Sequence, residues 1–171
     1  YQKIIVSFAT NFKYYFAMMK DGTQTLQENF HLEDFIPYRL AVLAKAVSTA
    51  FSKAYAERFG ITIPQWRVMA AIGREPNCTA TSIVEHAAMD KVQVSRAVSG
   101  LIDLDLVERR ADEEDRRNSF LSFTRQGRAI YDQIVPAGWD FEERLMSIMS
   151  AEDIDDLDRL LSKLMDQANQ L

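Results

Sequence analysis

The chain is short of several things, and each shortage excludes something. It has one cysteine, Cys78, in 171 residues. No intramolecular disulfide can form, and the composition suits a reducing compartment. The two histidines, His31 and His86, are far apart in sequence and have no metal-ligand spacing, alone or with Cys78. No metal and no cofactor is expected. Only six glycines occur, and none forms a phosphate-cradling loop. No nucleophile–base–oxyanion grouping stands out, so the chain is not read as an enzyme. No apolar run reaches the length of a membrane span, so no membrane partner is expected. The first residues, YQKIIVSFATNFKYYFAMM, lack the apolar core and cleavage site of a secretory signal. Cytoplasmic localisation follows. Positive charge is also scarce: 20 Lys and Arg against 25 Asp and Glu give a net charge of -5, which by itself argues against a nucleic-acid partner.

What is present is a 47% hydrophobic chain, enough for a core. From about Asp34 to Phe59, Leu40, Leu43, Ala44, Val47, Ala50, Phe51, Ala54 and Tyr55 recur at helical spacing, with Pro37 in the first turn and Gly60 as the stop. Thr62 caps a second helix, with Trp66, Met69, Ala70 and Ile72 inward, and the turn at 74–77 ends it. Thr79 caps a short helix over roughly 80–88, and Asp90 caps another over roughly 91–103. Thr124 caps a long helix. Ser150 opens the last one in a capping box with Asp153, and Ile154, Leu157, Leu160, Leu161 and Leu164 share a face of it. Residues 1–19 admit two readings. Either Met18 or Met19 is the natural start, or the segment is an N-terminal helix that adds to a dimer interface.

Residues 90–124, DKVQVSRAVSGLIDLDLVERRADEEDRRNSFLSFT, are the most informative. A capped helix is followed by two alternating strands, Leu106–Arg110 and Ser119–Phe123, around a charged tip. With the short helix before it, this reads as a helix-turn-helix and a β-wing. Asp105, between Leu104 and Leu106, is expected in the left-handed region. On the capped helix, Lys91, Val92, Gln93, Ser95, Arg96 and Ser99 lie opposite Val94, Ala97, Val98 and Leu101. Gln can pair with adenine, Arg with guanine, and Val92 can touch a thymine methyl. At the wing tip Arg116 and Arg117 would meet phosphates or the minor groove, with Asp115 fixing the direction of the Arg117 guanidinium. Residues 79–128 hold eight Lys and Arg against nine Asp and Glu, so binding requires the two signs to be segregated onto different faces. The bland alternative is a solvated helix face and a solvated charge run.

The order of these elements resembles the multiple-antibiotic-resistance regulator (MarR) family over residues 33–171. ITIPQWRVMAAIG is similar to its second helix. DKVQVSRAVSGLIDLDLVER is similar to its recognition helix and first wing strand, and DEEDRRNSFLSFTRQGR to its wing, with the Asp-x-Arg signature on Asp115–Arg117. Asp105 departs from the glycine usual there. The resemblance implies a mainly α fold with a small β-wing, a winged helix-turn-helix flanked by N- and C-terminal dimerisation helices. The expected divisions are an arm at 1–32, a helical dimerisation region at 33–60 and 125–171, and a DNA-binding domain at 61–124. It also implies a homodimer that binds a pseudo-palindrome in double-stranded DNA, acts as a repressor, and releases DNA on binding a small, commonly aromatic, anion.

For such a ligand the sequence offers Tyr38, Arg39, Trp66 and Met69, aromatic walls with one cation suited to a phenolic compound or an aromatic acid. Against this, Trp66 and Met69 at helical spacing read equally as core, and Arg39 as a bridge across a dimer. Two other functions stay open. One is a redox-responsive regulator acting through Cys78, although redox-sensing relatives place the reactive cysteine near the start of the first long helix. The other is a winged-helix protein-interaction module that does not bind DNA.

Overall fold

A computed structural model describes residues 30–75, 78–111 and 119–171. They fall into two compact units, one ending at Ala50 and the other spanning Phe51–Leu171. In the first, a 3-10 turn at Leu32–Asp34 leads into helix α1, Ile36–Ser52. The Phe30 and Phe35 rings pack 5.5 Å apart beside that turn. No side chain of α1 is buried, and Leu40, Val42 and Leu43 of its apolar stripe are exposed.

The second unit is the winged helix. A single helix was expected to continue to Phe59, but α1 stops at Ser52 and a separate turn of helix, α2, covers Ala56–Phe59. Between them Ala54 N–H donates to the Phe51 carbonyl and Tyr55 N–H to that of Ser52. The physical reason is Tyr55. Its φ of -132° leaves the helical region, and its side chain is 1% exposed in the core. Its ring lies 5.3 Å from that of Phe51 and 5.7 Å from that of Trp66. Burying an aromatic ring stabilises by about 2 kcal/mol or more, whereas each helical hydrogen bond given up costs about 1 kcal/mol. Gly60 then ends α2 at φ 67°, the left-handed stop that the sequence predicts.

The helices that follow begin at the caps that the sequence predicts. Helix α3, Ile63–Arg74, has Thr62 as N-cap in a reciprocal capping box with Gln65. Helix α4, Ala80–His86, is capped by Thr79, and helix α5, Lys91–Asp103, by Asp90. Strands β2 (Val107–Ala111) and β3 (Ser119–Phe123) pair antiparallel, Arg109 opposite Leu121. A third strand, β1 (Cys78–Thr79), was not expected. It pairs with β3, Cys78 opposite Leu121, so the sheet order is β1-β3-β2. Two residues carry no periodicity to read, which is why a strand so short escapes sequence patterning. Helix α6, Arg125–Met146, runs through Pro136, and helix α7, Ala151–Ala168, ends the chain.

The core joins these pieces. Val68, Met69 and Ile72 of α3, Ile83 of α4, Val94, Val98 and Leu101 of α5, Leu121 of β3 and Ile134 of α6 are all buried. Asp105 turns the chain from α5 into β2 at φ 54°, and Leu106, immediately after it, is buried in the core. A ring cluster of Phe51, Trp66, Tyr131 and Phe141 extends the core, with Trp66 stacked on Tyr131 at 5.9 Å. By contrast α7 has no buried side chain. Leu160, Leu161 and Leu164 stand about half exposed on it.

Candidate nucleic-acid interface

Helix α5 divides as its sequence pattern requires. Val94, Ala97, Val98 and Leu101 anchor one face in the core, while Lys91, Val92, Gln93, Ser95, Arg96 and Ser99 are exposed on the other. Val92 is 57% exposed, an apolar group offered to solvent on the outer face of a well-packed helix. The helix projects as a rigid element because its inner face is locked by packing, so the outward side chains keep fixed relative positions.

Gln93 has a second role. It is the third residue of α5, and its Oε1 accepts the Asp90 N–H at 3.1 Å while its own N–H donates to Asp90 Oδ1 at 2.8 Å. Bidentate pairing with adenine needs both Oε1 and Nε2, so in this conformation half of that pairing is committed to the cap. The signal was in the sequence as an N-cap residue followed three places later by Gln. Arg96 and Gln93 also border a groove of about 280 Å³ whose other wall is Thr62, Pro64 and Gln65. The start of α3 therefore adjoins the outward face of α5, a neighbourhood that sequence spacing alone did not reveal. The two helices are close here: a Cβ at Gly100 would come 2.7 Å from Gln65 Nε2.

On the hairpin, Glu108 accepts from Arg110 Nε at 3.0 Å and Nη2 at 2.6 Å, and from Ser122 Oγ at 3.3 Å. The Arg110 guanidinium holds the Glu108 carboxyl below the usual carboxylate range. Arg110 is thus paired within the wing. The tip, with Asp115, Arg116 and Arg117, lies outside the described residues.

The four sequence-derived ligand residues are distributed over both units. Tyr38 and Arg39 belong to α1, Tyr38 exposed and Arg39 half-buried. Met69 is fully buried in the core. Trp66 is half-buried and stacks in the ring cluster. Cys78 is also buried, and that burial, with Glu75 nearby, pushes its thiol pKa up. A thiol held protonated is a poor nucleophile. His31 is exposed before α1, and His86 places Nδ1 2.8 Å from the Ser82 carbonyl, to which it can only donate. Among the described residues no cluster of His, Cys, Asp or Glu could hold a metal ion, and no helix is long and apolar enough to cross a membrane.

Comparison with known proteins agrees with this architecture. Residues 59–118 match the MarR family model. The transcriptional regulator HosA of Escherichia coli O157:H7 is 29% identical over 105 residues, covering 61% of this chain and 78% of HosA. A MarR/EmrR family transcriptional regulator from Acinetobacter sp. ADP1 superposes with a TM-score of 0.76 at 25% identity, over 83% of this chain and 100% of that one. BpsR of Bordetella bronchiseptica, whose DNA binding is regulated by 6-hydroxynicotinic acid, shares the fold with a TM-score of 0.71 at 20% identity, over 81% of this chain and 98% of its own. The helix-turn-helix, the wing strands and the flanking helices thus have the fold of MarR-family transcriptional regulators, and residues 59–118 match that family's model.

Proposed function

We propose that this protein is a homodimeric, cytoplasmic repressor that binds a pseudo-palindromic operator in double-stranded DNA and releases it on binding a small aromatic acid. The observation that carries the reading is the outward face of α5. Six side chains able to meet bases or phosphates stand on a helix whose other face is locked in the core. Lys91, Val92, Gln93, Ser95, Arg96 and Ser99 read or clamp the major groove. Asp115, Arg116 and Arg117, assigned from sequence, serve the wing. The acidic net charge does not oppose this, since Lys91 and Arg96 share the exposed face while Asp90 is engaged as a cap.

Two apolar faces support the dimer. Neither α1 nor α7 buries a side chain among the described residues, yet both carry rows of leucine. Faces of that size on a regulator of this length call for a partner, and a two-fold arrangement sets two recognition helices about 34 Å apart, one turn of duplex. The ligand part rests on the family's example of BpsR and on the aromatic and cationic residues Tyr38, Arg39, Trp66 and Met69.

The test is fluorescence anisotropy on DNA from the region upstream of the protein's own gene, against random duplex of equal length, across a salt series. Operator affinity well above that for random DNA, with a steep salt slope, is the expected result. Equal, weak binding to both duplexes favours the protein-interaction module instead. The redox alternative predicts release by peroxide that Cys78→Ser abolishes, and the burial of Cys78 argues against it.

A further inference from the structure

Gly73 stands one residue before the end of α3, and glycine is a poor helix former. A neighbour accounts for it. A Cβ at Gly73 would overlap the phenol of Tyr131 on α6, 2.7 Å from Cε2 and closer still to Cζ and the hydroxyl oxygen. The bare backbone of Gly73 is a notch that the tip of Tyr131 fills. Two more rings hold the phenol there. Trp66 of α3 stacks on it at 5.9 Å and 24°, and Phe123 of β3 lies 5.0 Å from it. One side chain of α6 thus meets α3 at two residues and the sheet at a third. The ring has few places to go, because a helical side chain avoids the χ1 well that points into its own preceding turn.

The position of this contact along α6 matters. The first turn of α6 is fastened separately, Thr124 Oγ1 donating to the Asp105 carbonyl. Tyr131 lies about two turns further on, and two fixed points set the direction of a rod. Phe141, later on α6, meets Phe51, which packs on Trp66, so that contact leans on the same ring cluster. Ile134 is the last residue of α6 buried in the core. Past it the helix continues to Met146 and leads into α7 with its half-exposed leucines. From Tyr131 to Met146 α6 rises about 22 Å. A change of about 10° in direction at Tyr131 moves that end by about 4 Å, close to one base-pair step of roughly 3.4 Å.

We propose that Tyr131, keyed into the notch at Gly73, sets the direction of α6 against the winged-helix core and thereby the half-site spacing that the two α5 helices of a dimer accept. Tyr131 is a positioning residue. It selects for the distance between half-sites and not for the bases within them. The inference deepens the homodimeric operator-binding reading above and rests on it.

Double electron–electron resonance on the DNA-free dimer tests the geometry. The spin label is carried at Glu85→Cys, an exposed position on α4, with Cys78→Ala removing the native thiol. The unaltered key should give one distance between the two labels. Gly73→Ala puts a methyl group where the ring lies and should shift that distance by about one base-pair step, roughly 3 Å. Tyr131→Leu empties the notch and should broaden the distribution. Tyr131→Phe keeps the ring and should retain the original distance. Tyr131→Leu introduces no clash, so it carries the test if Gly73→Ala does not fold. A distance unchanged in both variants overturns the key.

Fluorescence anisotropy tests the consequence, on the operator, on operators with one base pair added or removed between half-sites, and on a single half-site. Gly73→Ala should match wild type on the single half-site within about twofold and lose about tenfold on the operator, the cost of failing to engage both half-sites at once. It should regain affinity at one of the altered spacings. An equal loss on half-site and operator is what a plain core residue would give, and it overturns the inference. A wild-type chain that sediments as monomer or binds no operator overturns the homodimeric regulator and the spacing role with it. A wild-type dimer that binds its operator, with a spacing preference that neither variant changes, overturns the spacing role alone.

Discussion

The hydroxyl of Thr124 donates a 2.6 Å hydrogen bond to the carbonyl of Asp105, nineteen residues away, and accepts one from Gly127 N–H at 3.0 Å. One small side chain thus fastens the turn after α5 to the start of α6. The junction is tight: a Cβ at Gly127 would lie 1.8 Å from the Leu106 carbonyl oxygen. Thr124→Val should lower stability by about 1–2 kcal/mol, and Thr124→Ser should retain most of it. Gly127→Ala should cost at least about 2 kcal/mol, because backbone and not a flexible side chain must yield. Asp105→Gly should instead stabilise by up to about 1 kcal/mol by relieving the positive φ. Urea denaturation of the set checks all four, and a neutral Gly127→Ala would contradict the geometry.

At the outward face of α5, Arg96→Ala should cost about 1–3 kcal/mol on the operator for each base edge it no longer reads, and far less on random DNA. Gln93 calls for a two-part measurement because it also closes the Asp90 cap. Gln93→Ala should weaken both operator binding and the fold, while Gln93→Glu keeps an oxygen for the Asp90 N–H and replaces the amide donor with a negative charge. Equal losses of Gln93→Glu and Gln93→Ala in thermal unfolding would show that the cap is not what Gln93 supplies to stability.

Arg117→Ala, and to a smaller degree Arg116→Ala, should weaken binding to every duplex. The salt slope should fall by roughly one for each phosphate that a subunit ceases to neutralise. The readout is affinity across a potassium chloride series. A change confined to one operator sequence would recast the wing as a base reader.

Charge introduced on the unburied leucine face of α7 should dissociate the proposed dimer. Leu161→Lys and Leu164→Lys together are expected to sediment as monomer at micromolar concentration and to lose operator affinity, with the winged-helix core still folded by circular dichroism. A wild-type protein that sediments as monomer refutes the proposed assembly.

Tyr55 gives the fold an alkaline limit. Burial raises its phenol from 10.0 to about 12, against the opposing pull of Arg67. The folded state holds this proton more tightly than the unfolded chain. Its contribution is therefore complete below about pH 10 and lost as pH rises from there toward 12, by up to about 1.4 kcal/mol per pH unit. Tyr55→Phe should flatten the decline in stability between about pH 10 and 12, and an unchanged slope would assign the loss to other groups.

Much of this architecture is legible in the sequence because it is local. Thr62, Thr79, Asp90, Thr124 and Ser150 each cap a helix of the structure, and each cap bonds to a backbone N–H three residues on. Asp105 at positive φ is legible for the same reason: an Asp between two leucines, where helix passes to strand, leaves few backbone choices. The outward set on α5 follows from helical periodicity, since Val94, Ala97, Val98 and Leu101 define the inward face.

The sequence by itself therefore determined most of the elements, their caps and the face that α5 offers, because these depend on interactions within a few residues. The tertiary structure decided the rest. It broke the first helix at Lys53–Tyr55 so that Tyr55 could reach Phe51 and Trp66. It added β1 beside β3, set Gly127 against Leu106, and brought Arg67 to Ala88 across a cavity between two helices. Each of these depends on residues distant along the chain, and interactions of that kind form only once the core has closed around them.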